Sequence, residues 1–512
     1  MLTRRDLLTA FLGAPFAAMA CRTERVPALP PGQLVGASHE VGHRLRSGST
    51  ADRRPPTADS VGRWETHDVV IVGAGIAGLA AAWRLAQAGV RDIVLLELEP
   101  VIGGTSRSSA SYPWGAHYVI APSEANHVLR RLLDEMGVLD QHGEVAEQFL
   151  VRDPEERVFY RGRWYEGLYL HAGASHEDLR QLRAFEEEIA RWSAWRDAKG
   201  RRAFEIPMSL GSDDAEVTAL DTISMAQWLD ARGLTSSRLR WYVEYACRDD
   251  YGTLLHHTSA WAAIFYFASR DARPVVTWPE GNGRIVAHLA RSAPARTGWL
   301  ATHITPEGEV LAVRGNETLG IRAKRIIFAG PQFVARRIIP SRPASSEFTY
   351  GSWLVANITL RDRLSSHGFP PAWDNVLYDS PSLGYVTATH QQGIEHGPTV
   401  LTYYYPLCGE DPHAERQRLL SVGRDQWAEV ALADLSRAHP EIRTLATRID
   451  IMRWGHAMIR PTPGFVWSEA RRNAAHPHGA IHFANTDLSA VALCEEALYH
   501  GVRAADEVIA AL

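Results

Sequence analysis

Lysine is nearly missing from this chain: of 54 basic residues, only Lys199 and Lys324 are lysines. The bias is most simply an effect of coding composition, yet it constrains the chemistry discussed below. Cysteine is scarce as well. Cys21, Cys247, Cys408 and Cys494 have no close spacing of the kind a metal cluster needs, and buried free thiols are preferred over a disulfide. No apolar run reaches the roughly 20 residues that span a bilayer. A net charge of −5 gives no electrostatic reason to bind nucleic acid. What remains is an ordinary globular composition, 46% hydrophobic and 22% charged, in a 512-residue chain long enough for two domains.

Residues 1–21 read as an export signal. Arg4-Arg5 precedes a moderately apolar stretch too short to span a membrane, a pattern that resembles the twin-arginine type used for folded proteins. The expected location is therefore exported, periplasmic or envelope-associated. Membrane attachment through Cys21 or the N-terminal segment stands beside signal-peptidase cleavage and an uncleaved anchor. Residues 22–67, rich in Pro, Gly, Ser, Arg and His, read as a linker or irregular segment.

Order is expected from Asp68. Val69-Val70-Ile71-Val72 is a short apolar strand, followed by Gly73-Ala74-Gly75-Ile76-Ala77-Gly78 and a helix over 79–88. Each glycine has a task in a dinucleotide turn: Gly73 for the bend, Gly75 for approach of a pyrophosphate, Gly78 for helix–strand packing. The helix start, including Ile76 and Ala77, presents N–H groups to phosphate. A second strand, 93–96, ends in Glu97, placed to meet ribose hydroxyls and to repel a 2′-phosphate, which favours FAD or NAD over NADP. The continuation separates those two. Gly103-Gly104, Ser106-Arg107 and Trp114-Gly115-Ala116-His117 form a glycine- and hydroxyl-rich path that a nicotinamide dehydrogenase would not need.

On these residues the chain resembles the flavin-containing amine oxidase and phytoene desaturase superfamily. Phe483-Ala484-Asn485-Thr486-Asp487 and the following helical stretch resemble the family's C-terminal cofactor segment, with Asn485 and Glu496 where glycines are usual. The resemblance implies FAD as cofactor, Asp487 on the ribityl chain, and a helix N-terminus aimed at the flavin pyrimidine. It implies an α/β fold: a Rossmann-like FAD domain from residues 68–147, 271–345 and 452–512, interleaved with a mixed sheet-and-helix substrate domain from 148–270 and 346–451.

The implied activity is hydride transfer from an amine or an apolar C–N or C–C substrate to flavin N5, with oxygen, a quinone or a redox protein as acceptor. An isomerase or mutase without net redox turnover, and a non-catalytic flavoprotein partner in the envelope, are the alternatives. Many amine oxidases place a lysine near N5 to assist the reaction with oxygen; here the matching strand, near Ser352-Trp353-Leu354, has none. A dehydrogenase, a desaturase or a slow oxidase follows.

Two histidines are the catalytic candidates. His456 stands eight residues before Gly464 of Pro463-Gly464, where covalent family members carry their flavin-linked cysteine; flavin contact, proton acceptor, covalent link and structural histidine all remain open. His117, with Trp114, is expected near the flavin. If 403–405 is a strand, one or two of its three tyrosines line a substrate cage. Arg248-Asp249-Asp250-Tyr251 and His256-His257 suggest a polar patch, but adjacent histidines do not face one ligand on a helix, so no metal site is expected.

Overall fold

The computed structural model describes residues 28–45, 61–109, 111–270, 273–342, 346–394 and 396–512. The expected export signal at 1–21 and much of the 22–67 segment lie outside the described residues.

The expected α/β architecture is present as two large sheets. In the first, strands Ala295–Arg296, Ile93–Leu96, Trp64–Val72, Glu317–Phe328 and Ile481–Phe483 run parallel, and an antiparallel meander, Glu309–Arg314 and Leu300–Ile304, continues it. Register sets Val72 opposite Leu96 and Phe328, and Phe328 opposite Phe483. Segments from opposite ends of the chain therefore finish level, at the edge where ligands of parallel sheets bind. The stretches Val69–Val72, Val94–Leu96 and Ile326–Phe328 of the parallel strands are buried at every residue, which explains their unbroken apolar runs.

Helix Ile76–Gln87 is alanine-rich because it is enclosed: Ile76 through Trp83 and Leu85 are all buried between this sheet and helix Cys494–Ala511. A side chain at Gly501 would stand 2.2 Å from the Ala77 carbonyl oxygen, so the two helices meet at backbone distance.

The second sheet has the order Leu34–Gly36, Ala446–Ile459, Tyr350–Leu360, Thr399–Leu407, Gly384–Thr387, Asp374–Leu377, Glu156–Tyr160, Arg163–Glu166. Two expected boundaries shift. The 22–67 segment is not all linker, since Leu34–Gly36 pairs in parallel with Ile451–Arg453 and the first-sheet strand already begins at Trp64. A three-residue edge strand has no periodicity to read; its partner strand holds it. The boundary at 452 falls inside strand Ala446–Ile459, which belongs to the second sheet. Helices His176–Ala194, Ser237–Tyr251 and Ala260–Arg270 pack around an aromatic core that includes Phe185, Phe204, Trp228 and Trp261. Among the described residues, no helix is long and apolar enough to cross a membrane.

Candidate active site

A cavity of about 440 Å³ lies along the level strand ends of the first sheet. Gly73, with φ of 105°, makes the bend after Val72, and no side chain caps the helix that starts at Ile76. Its first amides are thus left for a ligand. Gly75, Ile76 and Ala77 line the cavity, and Gly103 and Gly104 face them, with the Gly104 Cα only 3.9 Å from where a Gly75 side chain would begin. Gly78 does not line it. A side chain there would stand 1.8 Å from the Gly73 oxygen, so its task is packing, as its place in the motif suggests.

Glu97 lines the cavity and is buried. Its carboxylate accepts from Ala74 N at 2.7 Å and Glu99 N at 2.8 Å, while burial pushes its pKa upward. Glu99 in turn accepts from Ser38 N at 2.6 Å and Ser38 Oγ at 2.8 Å. This network draws Ala37, Ser38, His39 and His43 onto the cavity wall, a contribution that sequence reasoning missed. Arg107, expected at the cofactor, does not line the cavity. It lies 3.7 Å from Glu99, donates to the Gly36 oxygen at 3.2 Å and covers the Trp454 ring at 4.9 Å, so it pins the N-terminal strand. Ser106 does line the wall; Trp114 acts through its carbonyl, which accepts from Trp454 Nε1 at 2.7 Å.

The C-terminal segment closes the same cavity with Asn485, Asp487 and the uncapped start of helix Cys494–Ala511. The two unusual residues have local explanations. Asn485 accepts from Asp487 N at 3.1 Å, and Glu496 is buried, accepting from Met208 N and Ser489 Oγ at 2.6 Å each. Asp487 accepts from Tyr350 Oη at 2.6 Å and Gln332 N at 2.8 Å, and burial raises its pKa to about 6. His456 lines the wall with its ring stacked 4.0 Å from Phe333 and edge-on to Tyr350 at 5.6 Å.

A second cavity, about 210 Å³, adjoins the first through Thr105, Ala116, Trp454, Ala457 and the segment from Ala492 to Cys494, all uncharged. Gly115 and His117 line it. His117 is poorly suited to take a proton, because burial pushes its pKa down to about 3. Tyr404 Oη donates its one proton to the Gly115 oxygen at 2.8 Å, so the 2.5 Å contact to His117 has Nδ1–H as donor. His117 therefore positions Tyr404. Of the three adjacent tyrosines only Tyr404 reaches the cavity; Tyr403 and Tyr405 face the core, as strand alternation requires.

The rest of this wall is acidic and aromatic. Glu156 and Asp374 are direct partners on parallel strands, and Asp249 and Asp250 come from helix Ser237–Tyr251. Among the described residues the cavity's only cationic side chain is Arg270, which is taken by Asp250, with both carboxylate oxygens at 2.7 Å. Burial, reinforced by Asp374, Glu155 and Asp249, raises Glu156 to about 8. Burial raises Asp374 to about 7 against the 2.8 Å hydrogen bond from Tyr245. Asp249 is raised by burial and then by Asp250. Tyr118, Tyr245, Tyr266, Trp353 and Trp373 also line the cavity, with Glu495 and aliphatic residues such as Val355 and Leu383. Neither lysine is present: Lys324 pairs with Asp68 on the surface and Lys199 is exposed.

A glycine-walled cradle between two uncapped helix starts, with a buried carboxylate near each, fits a dinucleotide whose phosphates meet amides and whose hydroxyls meet Glu97 and Asp487. The thiamine thiazole synthase of Aeropyrum pernix is 41% identical over 71 residues, 14% of this chain; the chain thus spans under a quarter, 23%, of that relative's length. Putrescine oxidase bound to putrescine has a similar fold, with a TM-score of 0.63 at 17% identity, covering 88% of this chain and all of that one. Cyclohexylamine oxidase from Brevibacterium oxydans IH-35A gives 0.62 at 17%, covering 87% and 99%. The family described as flavin containing amine oxidoreductase matches residues 76–509. Across that span the chain belongs to the flavin-containing amine oxidoreductases, as an enzyme whose cofactor is FAD.

Proposed function

We propose that this enzyme oxidises an amine carrying a second cationic group, held with its reacting carbon in the FAD cavity and its other charge among the carboxylates of the second. One observation carries the reading: among the described residues the passage between the cavities is uncharged, whereas Glu156, Asp249 and Asp374 line only the far one and none of the three forms an ion pair, Arg270 being held by Asp250. Buried carboxylates are stable when paired. A substrate ammonium supplies that partner, and the surrounding tyrosine and tryptophan faces favour it further.

Bound flavin supplies a two-electron acceptor at N5. The chain orients the substrate, excludes water with aromatic walls and keeps His117 neutral. His456, on the flavin-cavity wall, is the retained candidate for accepting the proton of the reacting ammonium. Because no lysine lines either cavity, the proposed electron acceptor is other than oxygen, or oxygen in a slow reaction. We also retain export, on the Arg4-Arg5 signal, as the proposed location.

The test is anaerobic reduction of the bound flavin by a panel of linear diamines, monoamines of matching length and uncharged alkenes. Diamines should bleach it fastest. Bleaching by alkenes alone, or equal rates for mono- and diamines, would overturn the reading, and rapid stoichiometric peroxide formation would overturn the acceptor assignment.

A further inference from the structure

Adjacent histidines on a helix diverge, and on that ground no metal site is expected from the sequence. His256 and His257 are not helical. Helix Ser237–Tyr251 ends at Gly252 in a left-handed conformation, with φ of 59°, and the chain then turns, the amides of His257 and Thr258 both reaching the Leu254 oxygen at 3.0 Å. The turn brings the two rings to 4.1 Å between centroids. Both Nε2 atoms reach one carboxylate: His256 lies 3.0 Å from Glu410 Oε1, and His257 lies 3.1 Å from Oε2. The three side chains offer ligand atoms all within 4.8 Å of one another.

We propose that His256, His257 and Glu410 form a binding site for a divalent transition metal of the zinc class. Two imidazoles and a carboxylate suit Zn²⁺, Co²⁺, Ni²⁺ or Cu²⁺, whereas Mg²⁺ and Ca²⁺ prefer oxygen ligands throughout. Ligand atoms on a tetrahedral zinc sit roughly 3.3 Å apart, given metal–nitrogen bonds of about 2.0–2.1 Å. The observed nitrogen–oxygen spacings need only small adjustment. Arg460 opposes a cation electrostatically, but its guanidinium is directed to Thr253 Oγ1 at 3.0 Å.

His256 and Glu410 are exposed, so the fourth position is open to water and the metal exchanges. Such an ion is a clamp. It ties the turn after the helix that carries Asp249 and Asp250 to the residues after strand Thr399–Leu407, which carries Tyr404. Two walls of the acidic cavity would then be fixed relative to each other, with the ion on the surface and outside the chemistry.

The FAD-loaded enzyme, freed of metal by chelator, would be titrated with Zn²⁺ in a calorimeter beside His256→Ala/His257→Ala and Glu410→Gln. The wild type should bind one ion with a Kd on the order of micromolar, tightening as pH rises because protons compete for the ligands. Each variant should lose at least about tenfold in affinity while retaining its flavin, and Mg²⁺ should produce no heat. Zn²⁺ should raise the melting temperature of the wild type and not of the double variant. Equal Zn²⁺ stoichiometry and affinity in wild type and double variant, or no saturable binding in the wild type, would overturn the proposal.

Discussion

Replacing Glu156 by Gln should move stability and substrate binding in opposite directions. Burial and the neighbouring Asp374, Glu155 and Asp249 raise its carboxyl from 4.5 to about 8. The folded form therefore holds a proton that the unfolded form releases. In that case stability falls as pH rises from about 4.5 to about 8 and stays low above it. At roughly 1.4 kcal/mol per tenfold change in acidity, the ceiling on that loss is on the order of 5 kcal/mol. Relaxation and water entry reduce it, and the glutamine keeps part of the burial cost, leaving a gain of about 1–3 kcal/mol for the variant. For a chain of this length that is roughly 1–3 °C in melting temperature. The gain should be present at pH 8.5 and absent near pH 4.5.

Substrate binding should suffer over the same range. An ammonium about 4–5 Å from an ionised carboxylate gains roughly 3–4 kcal/mol at an effective dielectric near 20. With Asp374 and Asp249 retained, the net loss should be about 10- to 100-fold in diamine affinity and little in monoamine affinity. Scanning calorimetry of the flavin-loaded protein at the two pH values, with anaerobic flavin bleaching, reads both effects. A lower melting temperature at pH 8.5, or diamine affinity unchanged, would refute the assignment of this wall to a substrate cation.

Other perturbations separate the remaining roles. Diamine KM in the wild type should fall as pH rises through about 7 and 8, where Asp374 and Glu156 ionise; a flat profile contradicts the pairing. Gly78→Ala places a methyl 1.8 Å from the Gly73 oxygen and should displace the phosphate turn, costing about 1–3 kcal/mol and releasing flavin, as seen by recovered flavin fluorescence. Glu97→Ala strips acceptors from Ala74 N and Glu99 N and should weaken FAD binding at least about tenfold, while Ser38→Ala, which removes one hydrogen bond to Glu99, should cost about 0.5–1.5 kcal/mol. Tyr404→Phe should leave flavin content unchanged but free His117 Nδ1, shifting KM more than the rate of flavin reduction.

The contrast between what was legible and what was not has a physical cause. Glycines 73, 75, 78, 103 and 104 carry local signals, because bends and close backbone approach are demanded within a few residues of each other. Glu97 is legible for a like reason, as an acid directly after a strand, whereas Asp487 is marked only by the resemblance of its segment to the family's C-terminal cofactor segment. The acidic wall is different: Glu156, Asp249 and Asp374 are scattered over more than 200 residues and meet only because strands Glu156–Tyr160 and Asp374–Leu377 pair in register while one helix packs beside them. Leu34–Gly36 was hidden because three residues hold no period, and Arg107 was misplaced because family position says nothing of which partner a long side chain will reach. The histidine pair gives the sharpest case. Its sequence spacing excluded a shared ligand only on the premise of a helix, and a single left-handed glycine at position 252 removes that premise. The cofactor is thus written into short-range pattern, whereas the substrate preference we propose is a tertiary property: charges that repel when unpaired are brought together by register, where an incoming cation would offset that repulsion.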